Sequence, residues 1–97
     1  MDKLFEVVDK TERKIRLTKT QWSHITTIHS EMSNYFEEIQ ETLKNPLKIT
    51  SQEKGNLKRY FSHQKRRKHP ETYLLVIVKY LNGEGFIITA HFVRNIK

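Results

Sequence analysis

The strongest constraint on the fold is a long β-hairpin encoded in the last quarter of the chain. Tyr73 to Leu81 is a nearly continuous run of β-branched and aromatic residues, a composition typical of strands. Asn82-Gly83-Glu84-Gly85 follows and predicts a tight turn, because glycine adopts positive φ without strain. Gly85 to Val93 then predicts the return strand. The sequence therefore predicts an antiparallel sheet that contains this hairpin.

Alternation along the return strand predicts which of its side chains face the core. One side is apolar enough to lie under helices: Phe86, Ile88, Ala90 and Phe92. The other side places Thr89 and His91 next to each other on the sheet surface. Threonine favours strands in any case, and an exposed histidine needs no special role. The pair also offers a hydroxyl beside an imidazole, so both residues are candidates for a functional site.

Apolar residues recur at helical spacing between residues 18 and 45. Thr18 or Thr20 can cap a first helix. The apolar face of this helix is predicted to consist of Trp22, Ile25, Ile28 and Met32. Ser33 is predicted to cap a second helix. Asn45-Pro46 ends it, because proline disfavours helical backbone at the residue before it.

Short strands are predicted on both sides of the helices. Residues 4–8 and 14–17 predict an N-terminal hairpin, and 47–50 and 57–63 predict two further strands. Helices followed by a meander of strands are typical of the α+β class. We therefore predict an α+β fold in which an N-terminal short hairpin and two helices pack on one face of an antiparallel sheet of about four strands. The length of 97 residues predicts a single domain over 1–97.

Composition excludes several kinds of site. The chain has no cysteine, which excludes disulfides, thiolate zinc sites, iron–sulfur clusters and cysteine nucleophiles. The longest purely apolar run, Leu74 to Val78, is too short to span a bilayer. No positive patch followed by an apolar segment marks a secretory signal. We therefore expect no membrane partner and a reducing compartment, the cytoplasm.

The net charge of +7 favours a polyanion as partner. Residues 54–69 hold seven cations and no acid: Lys54, Lys58, Arg59, Lys65, Arg66, Arg67 and Lys68. Such a run can bind phosphates through counterion release. Tyr60 and Phe61 lie within it and can stack on unpaired bases. The alternative is a solvated loop whose charges only oppose aggregation.

Five histidines in a chain without cysteine first suggest a metal site, but their spacing argues against one. His24 and His29 are five positions apart, which places them about 140° apart on a helix. We therefore expect no metal and no other cofactor. His29 falls within the apolar arc of the first helix and is predicted to be a packed histidine. His24 lies at the edge of that arc, where it can face a cleft, and is the better candidate for proton transfer.

Five segments, taken in order, resemble small phage- and mobile-element-associated nuclease domains of the barnase, EndoU, colicin and RelE-like superfamily. They are Leu17–Ile25, His29–Met32, Ile39–Pro46, Lys58–Phe61 and Gly85–Ala90. The resemblance covers residues 14–92, and the order of the segments carries it. His29 is commonly followed by proline in the related pattern, whereas Ser30 stands here.

The resemblance implies N-terminal helices, an antiparallel sheet of about four strands and metal-independent ribonuclease activity. Proteins of this kind are often toxins of toxin–antitoxin or phage-conflict systems, so a cognate antitoxin or immunity protein is an expected partner. Their active residues are a helix histidine, a basic or aromatic residue on a middle strand and a polar residue on the last strand. His24, Arg59 with Tyr60, and Thr89 match those places.

The sequence thus predicts an endoribonuclease in which the 2′-hydroxyl of RNA attacks the adjacent phosphate. His24 is expected to transfer a proton, Arg59 to clamp the phosphate, Tyr60 to contact the substrate and Thr89 to position the phosphate. His29 and His91 are second candidates for acid–base catalysis. The residues expected to follow the RNA backbone are Lys58, Lys65, Arg66, Arg67 and Lys68. The alternatives are a non-catalytic RNA- or DNA-binding module and an inactive domain that docks an acidic protein.

Overall fold

A computed structural model describes residues 3–51 and 56–96, which form two helices and a six-stranded mixed sheet. The strands are β1 (Lys3–Val8), β2 (Lys14–Thr18), β3 (Lys48–Ser51), β4 (Leu57–His63), β5 (Tyr73–Leu81) and β6 (Glu84–Val93). The helices are α1 (Lys19–Ile28) and α2 (Phe36–Lys44), joined through a 3₁₀ turn over Ser30–Asn34. The order across the sheet is β1-β2-β6-β5-β4-β3. The α+β class is confirmed, but the sheet is larger than the four strands predicted.

The difference arises because the N-terminal hairpin joins the sheet. β2 pairs with β6 in parallel through Ile15 with Gly85 and Arg16 with Phe86. A Cβ atom on Gly85 would stand 2.9 Å from Cγ1 of Ile15, so this close approach requires glycine. The sheet is therefore mixed, whereas a purely antiparallel one was predicted.

The hairpin of β5 and β6 is confirmed, and its turn is tighter than predicted. Asn82 and Gly83 have φ of 53° and 81°, the backbone of a two-residue turn with a positive φ at both positions. The return strand accordingly begins at Glu84. Gly83 thus supplies the conformational freedom that the turn needs, and Gly85 serves the close packing against β2.

A β-bulge changes which residues of β6 face the helices. Ile77 pairs with Thr89, but the next residue, Val78, pairs with Ile87, so Ile88 is the extra residue of β6. Ile87 is buried in the core, and Ile88 is only partly buried. The predicted alternation therefore holds for Ala90 and Phe92 and is wrong for the first half of the strand.

The helices begin and end partly where the sequence predicts. Thr18 caps α1, and its hydroxyl accepts a hydrogen bond from the Gln21 amide at 3.1 Å. α1 ends after ten residues, so Ile28 is 60% exposed rather than part of the apolar face. Ser33 lies within the 3₁₀ turn and does not cap α2, whose N-cap is Tyr35. The chain leaves α2 at Asn45, as the following proline predicts.

One hydrophobic core lies between the helices and one face of the sheet. Residues from α1, the 3₁₀ turn and α2 pack on alternate residues of the sheet, among them Tyr60, Val76 and Ala90. Ser62, on the same face as Tyr60, joins its hydroxyl to that of Thr42 on α2 at 2.7 Å. The intervening residues of the strands point to the opposite face of the sheet, which we call the open face. Lys54 of the basic run lies outside the described residues.

Candidate active site

The open face brings Arg59 and Thr89 into one row across the sheet. Arg59 on β4 pairs with Ile77 on β5, and Ile77 pairs with Thr89 on β6. Arg59 and Thr89 are therefore two strands apart, and their Cα atoms are separated by about 10 Å. An extended arginine side chain can reach over Ile77 toward the Thr89 hydroxyl. Within the described ranges no carboxylate forms an ion pair with Arg59.

His91 occupies the next row of the open face, where its partner on β5 is Leu75. The ring of His29 stacks on it, with ring centroids 5.0 Å apart and an angle of 21° between the planes. Nδ1 of His91 is buried and lacks a hydrogen-bond partner among the described residues.

The position of α1 explains how a helix residue reaches this face of the sheet. β2 pairs with β6 only as far as Arg16 and Phe86, and α1 follows β2 directly. The side-chain amide of Gln21 then donates a hydrogen bond to the Ile88 carbonyl, which anchors α1 beside the second half of β6. His29 terminates α1 as its C-cap and thereby meets His91.

The surroundings of His91 lower its pKa below the usual value of 6.5. Burial contributes most, because it disfavours the charged imidazolium. The charge of a protonated His29 acts in the same direction, and Glu71 acts against it. His91 is therefore neutral at pH 7 and suited to accept a proton.

A pocket of about 360 Å³ opens on the open face beside Arg59. Its lining combines apolar strand residues with cationic and amide groups: Arg59, Phe61, Leu75, Val93, Arg94 and Asn95. Leu75 is the cross-strand partner of His91, but His91 itself does not line the pocket. Arg94 and Asn95 were not among the predicted site residues. They follow the last strand without any motif, and only the sheet register places them beside Arg59.

Tyr60 cannot stack on a substrate base, because its side chain is completely buried on the helix side of the sheet. Its hydroxyl donates to the Asp9 carboxylate and also meets the hydroxyl of Tyr80. Burial raises the pKa of Tyr60, and its bond to Asp9 raises it further, so it stays protonated. The expected contact of Tyr60 with RNA is therefore a wrong prediction. Strand alternation predicts that Arg59 and Tyr60 face opposite sides, but not which side lies under the helices.

His24 is exposed on α1, away from the face that carries His29 toward His91. No contact within the described residues joins it to Arg59, Thr89 or His91. The structure therefore brings His29, and not His24, to the face of the sheet that carries Arg59, Thr89 and His91. The helical wheel separated His24 from His29 correctly, but it could not show which of them meets the sheet.

The basic run divides into two kinds of residue. Arg67 donates to a Glu31 carboxylate oxygen at 2.6 Å and to the Glu71 carbonyl at 2.7 Å, and its guanidinium lies 3.7 Å from the centre of the Phe92 ring. These contacts occupy Arg67 in holding the loop before β5, so it is not a free phosphate ligand. Lys58 lies over the Tyr80 ring on the helix side, 5.3 Å from its centre. Among the described residues of the run, the exposed cations are Lys65, Arg66 and Lys68.

A second cavity, of about 530 Å³, lies where this loop meets the 3₁₀ turn and α2. Lys65 and Arg66 line it together with Tyr35, but so does the carboxylate of Glu38. This mixture of charges favours a polar groove rather than a dedicated phosphate site.

Over residues 3–51 and 56–96, no group of three histidine or carboxylate side chains is arranged to hold a metal ion. In the same ranges, neither helix is long and apolar enough to cross a membrane.

Comparisons of the chain with family models, curated proteins and solved structures find no match.

Proposed function

We propose that this protein is a metal-independent endoribonuclease whose active site lies on the open face of the sheet. The observation that carries the proposal is that Arg59 and Thr89 share one row of the open face and that His91, with His29 stacked on it, lies in the next row. When the 2′-hydroxyl of the RNA is the nucleophile, the protein must supply a base, an acid and groups that stabilise negative charge. Two imidazoles can serve as base and acid, and a cation and a hydroxyl can stabilise the charge.

Each group has a separate task in this reaction. His91 is neutral and takes the proton from the 2′-hydroxyl as its oxygen attacks phosphorus. The bond from phosphorus to the 5′-oxygen then breaks, and His29 donates a proton to that leaving oxygen. Arg59 and the Thr89 hydroxyl stabilise the negative charge that develops on the non-bridging oxygens. The products are a 2′,3′-cyclic phosphate and a 5′-hydroxyl.

Lys65, Arg66 and Lys68 extend the interaction along the RNA backbone. Their exposure leaves them available to phosphates, in contrast to Arg67. A protein that cuts cellular RNA needs restraint, so we also propose that it acts in the cytoplasm as a toxin held by a cognate antitoxin or immunity protein. The same cations would serve a non-catalytic RNA-binding module, which is the second candidate function.

The decisive experiment is cleavage of single-stranded RNA in excess chelator. We expect cutting to persist, with products ending in 2′,3′-cyclic phosphate, because the proposed groups are all side chains of this chain. DNA of identical sequence should bind but stay intact, because it lacks the 2′-hydroxyl. RNA cutting that stops with chelator would overturn the mechanism. Binding without cutting over a broad panel of RNAs would establish the non-catalytic function.

Cleavage should depend on pH through His91. The neutral imidazole is the active form, and its pKa is lowered below 6.5. The acidic limb of kcat/KM against pH should therefore lie below about pH 6.5, where His91 becomes protonated. Replacing His29 with glutamine removes a positive charge beside His91, so the acidic limb should move to higher pH. An acidic limb that stays in place in this variant would argue against coupling between the two rings.

RNA affinity should depend on salt through the exposed part of the basic run. Replacing Lys65, Arg66 and Lys68 with glutamine should reduce the slope of log affinity against log salt by up to about 2, from about 0.7 for each lost contact with a single strand. Arg67→Gln, which removes one positive charge from an occupied side chain, should instead lower the free energy of unfolding and leave the slope nearly unchanged, rather than reduce it by the about 0.7 expected for one lost contact. Equal slopes for the triple variant and the wild type would identify the run as a solvated loop.

A further inference from the structure

The pocket on the open face contains groups that proton transfer and phosphate binding do not use. Phe61, Leu75 and Val93 give it an apolar floor, and Arg94 and Asn95 stand beside that floor with Arg59. A phosphate by itself would gain nothing from an apolar surface, because its oxygens need donors. The lining therefore fits a ligand with a flat apolar part and an adjoining anionic part.

The polar groups of the pocket match the edges and faces of a nucleobase. A guanidinium is planar and stacks on bases, and the asparagine amide presents a donor and an acceptor side by side. Among the described residues, no carboxylate lines this pocket, unlike the cavity beside Glu38. Its volume of about 360 Å³ lies at the small end of the range for ligand sites, about 300–1,000 Å³, which suits one nucleotide.

The sheet register places this pocket directly next to the proposed catalytic groups. Its floor residue Leu75 pairs with His91, and Arg59 shares a row with Thr89. A base resting on the floor would thus leave its own phosphate within reach of the row that carries Arg59 and Thr89. The pocket cannot admit a base that is still stacked and paired in a duplex.

We propose that this pocket is a nucleobase subsite that binds the unpaired base next to the cleaved phosphate, with Asn95 on the base edge and Arg94 over its face. The inference rests on the proposed ribonuclease function and adds the substrate class: single-stranded RNA with an accessible base. Cleavage then requires both a base in the pocket and a phosphate at Arg59. Duplex RNA binds the exposed lysines without being cut.

The test is a titration of the full-length protein, followed by backbone amide NMR, with the four 2′-deoxynucleoside 3′-monophosphates. These probes carry a base and a phosphate and have no 2′-hydroxyl to react. We expect shifts at Leu75, Val93 and Asn95, and affinity at least about tenfold above that for inorganic phosphate or for the deoxynucleoside. Asn95→Ala should weaken the nucleotide about two- to tenfold, the usual effect of one hydrogen bond. Lys19→Gln, a charge change on the exposed start of α1, should leave nucleotide affinity unchanged.

Equal affinity for nucleotide and inorganic phosphate, or shifts confined to residues outside the pocket, would overturn the subsite. RNA cleavage that is as fast in Asn95→Ala and Arg94→Gln as in the wild type would also overturn it and leave the ribonuclease function standing. Nucleotide binding in the pocket without RNA cleavage would support the subsite and refute the ribonuclease. The amide spectrum of each variant shows whether it is folded, so loss of structure cannot be mistaken for loss of the site.

Discussion

Replacing His91 with glutamine is expected to slow RNA cleavage by about 10²–10⁴-fold, the usual contribution of a positioned acid or base. Glutamine keeps the side chain polar and of similar length, but it cannot take the proton of the 2′-hydroxyl. Affinity should change little, because Arg59 and the exposed lysines remain. The measurement is single-turnover cleavage of a short RNA, with affinity determined on the matching DNA, which is not cut.

His29→Gln and the double variant test whether the stacked rings act as one unit. If His91 and His29 serve the two halves of one reaction, the double variant should be hardly slower than the slower single variant. His24→Gln tests the prediction from the sequence that His24 transfers the proton. A loss of about 10²-fold or more in His24→Gln, with His91→Gln close to the wild type, would move the site to the exposed side of α1.

Replacing Asp9 with alanine is expected to lower the free energy of unfolding by about 3 kcal/mol or more. Asp9 is only 4% exposed, and it accepts hydrogen bonds from the amides of Thr11 and Arg13 and from the hydroxyls of Tyr60 and Tyr80. Each buried donor left without an acceptor costs about 1–3 kcal/mol. Urea denaturation at pH 7 measures the change.

Tyr60→Phe separates the structural role of this cluster from the predicted role in RNA binding. It removes the buried hydroxyl that donates to Asp9, so it should lower the free energy of unfolding and leave RNA affinity and cleavage unaltered in the folded protein. A variant with unchanged stability and weakened RNA binding would restore the interpretation of Tyr60 as a substrate contact.

The contribution of Asp9 to stability should also depend on pH with a definite sign. Burial by itself would raise the pKa of Asp9, but the hydrogen bonds from Tyr60, Arg13, Thr11 and Tyr80 outweigh it and lower the pKa below 3.8. The ionised carboxylate therefore stabilises the fold above about pH 3.8, and this part is lost as the pH falls through the lowered pKa. The difference in stability between the wild type and Asp9→Asn should shrink over that acidic range.

The features that could be predicted from the sequence are those set by neighbouring residues. The β5–β6 hairpin follows from its β-branched residues and from Asn82-Gly83, whose backbone suits a tight turn. The start of α1 follows from the Thr18 hydroxyl, and the end of α2 follows from Asn45-Pro46. Each of these depends on interactions within a few positions of the chain, so pattern and propensity were sufficient.

The way in which these elements combine into a candidate site depends on long-range packing. Side chains alternate along a strand, so Arg59 and Tyr60 must face opposite sides of the sheet. The packing of the helices then decides which of the two is buried. The bulge at Ile88 and the parallel pairing of β2 with β6 depend on partners remote in sequence. Together with α1 they bring His29 onto His91, residues 62 positions apart whose local sequence shows no link. The contact between His29 and His91 could therefore not be predicted from the sequence, because its geometry is a property of the assembled sheet and helix.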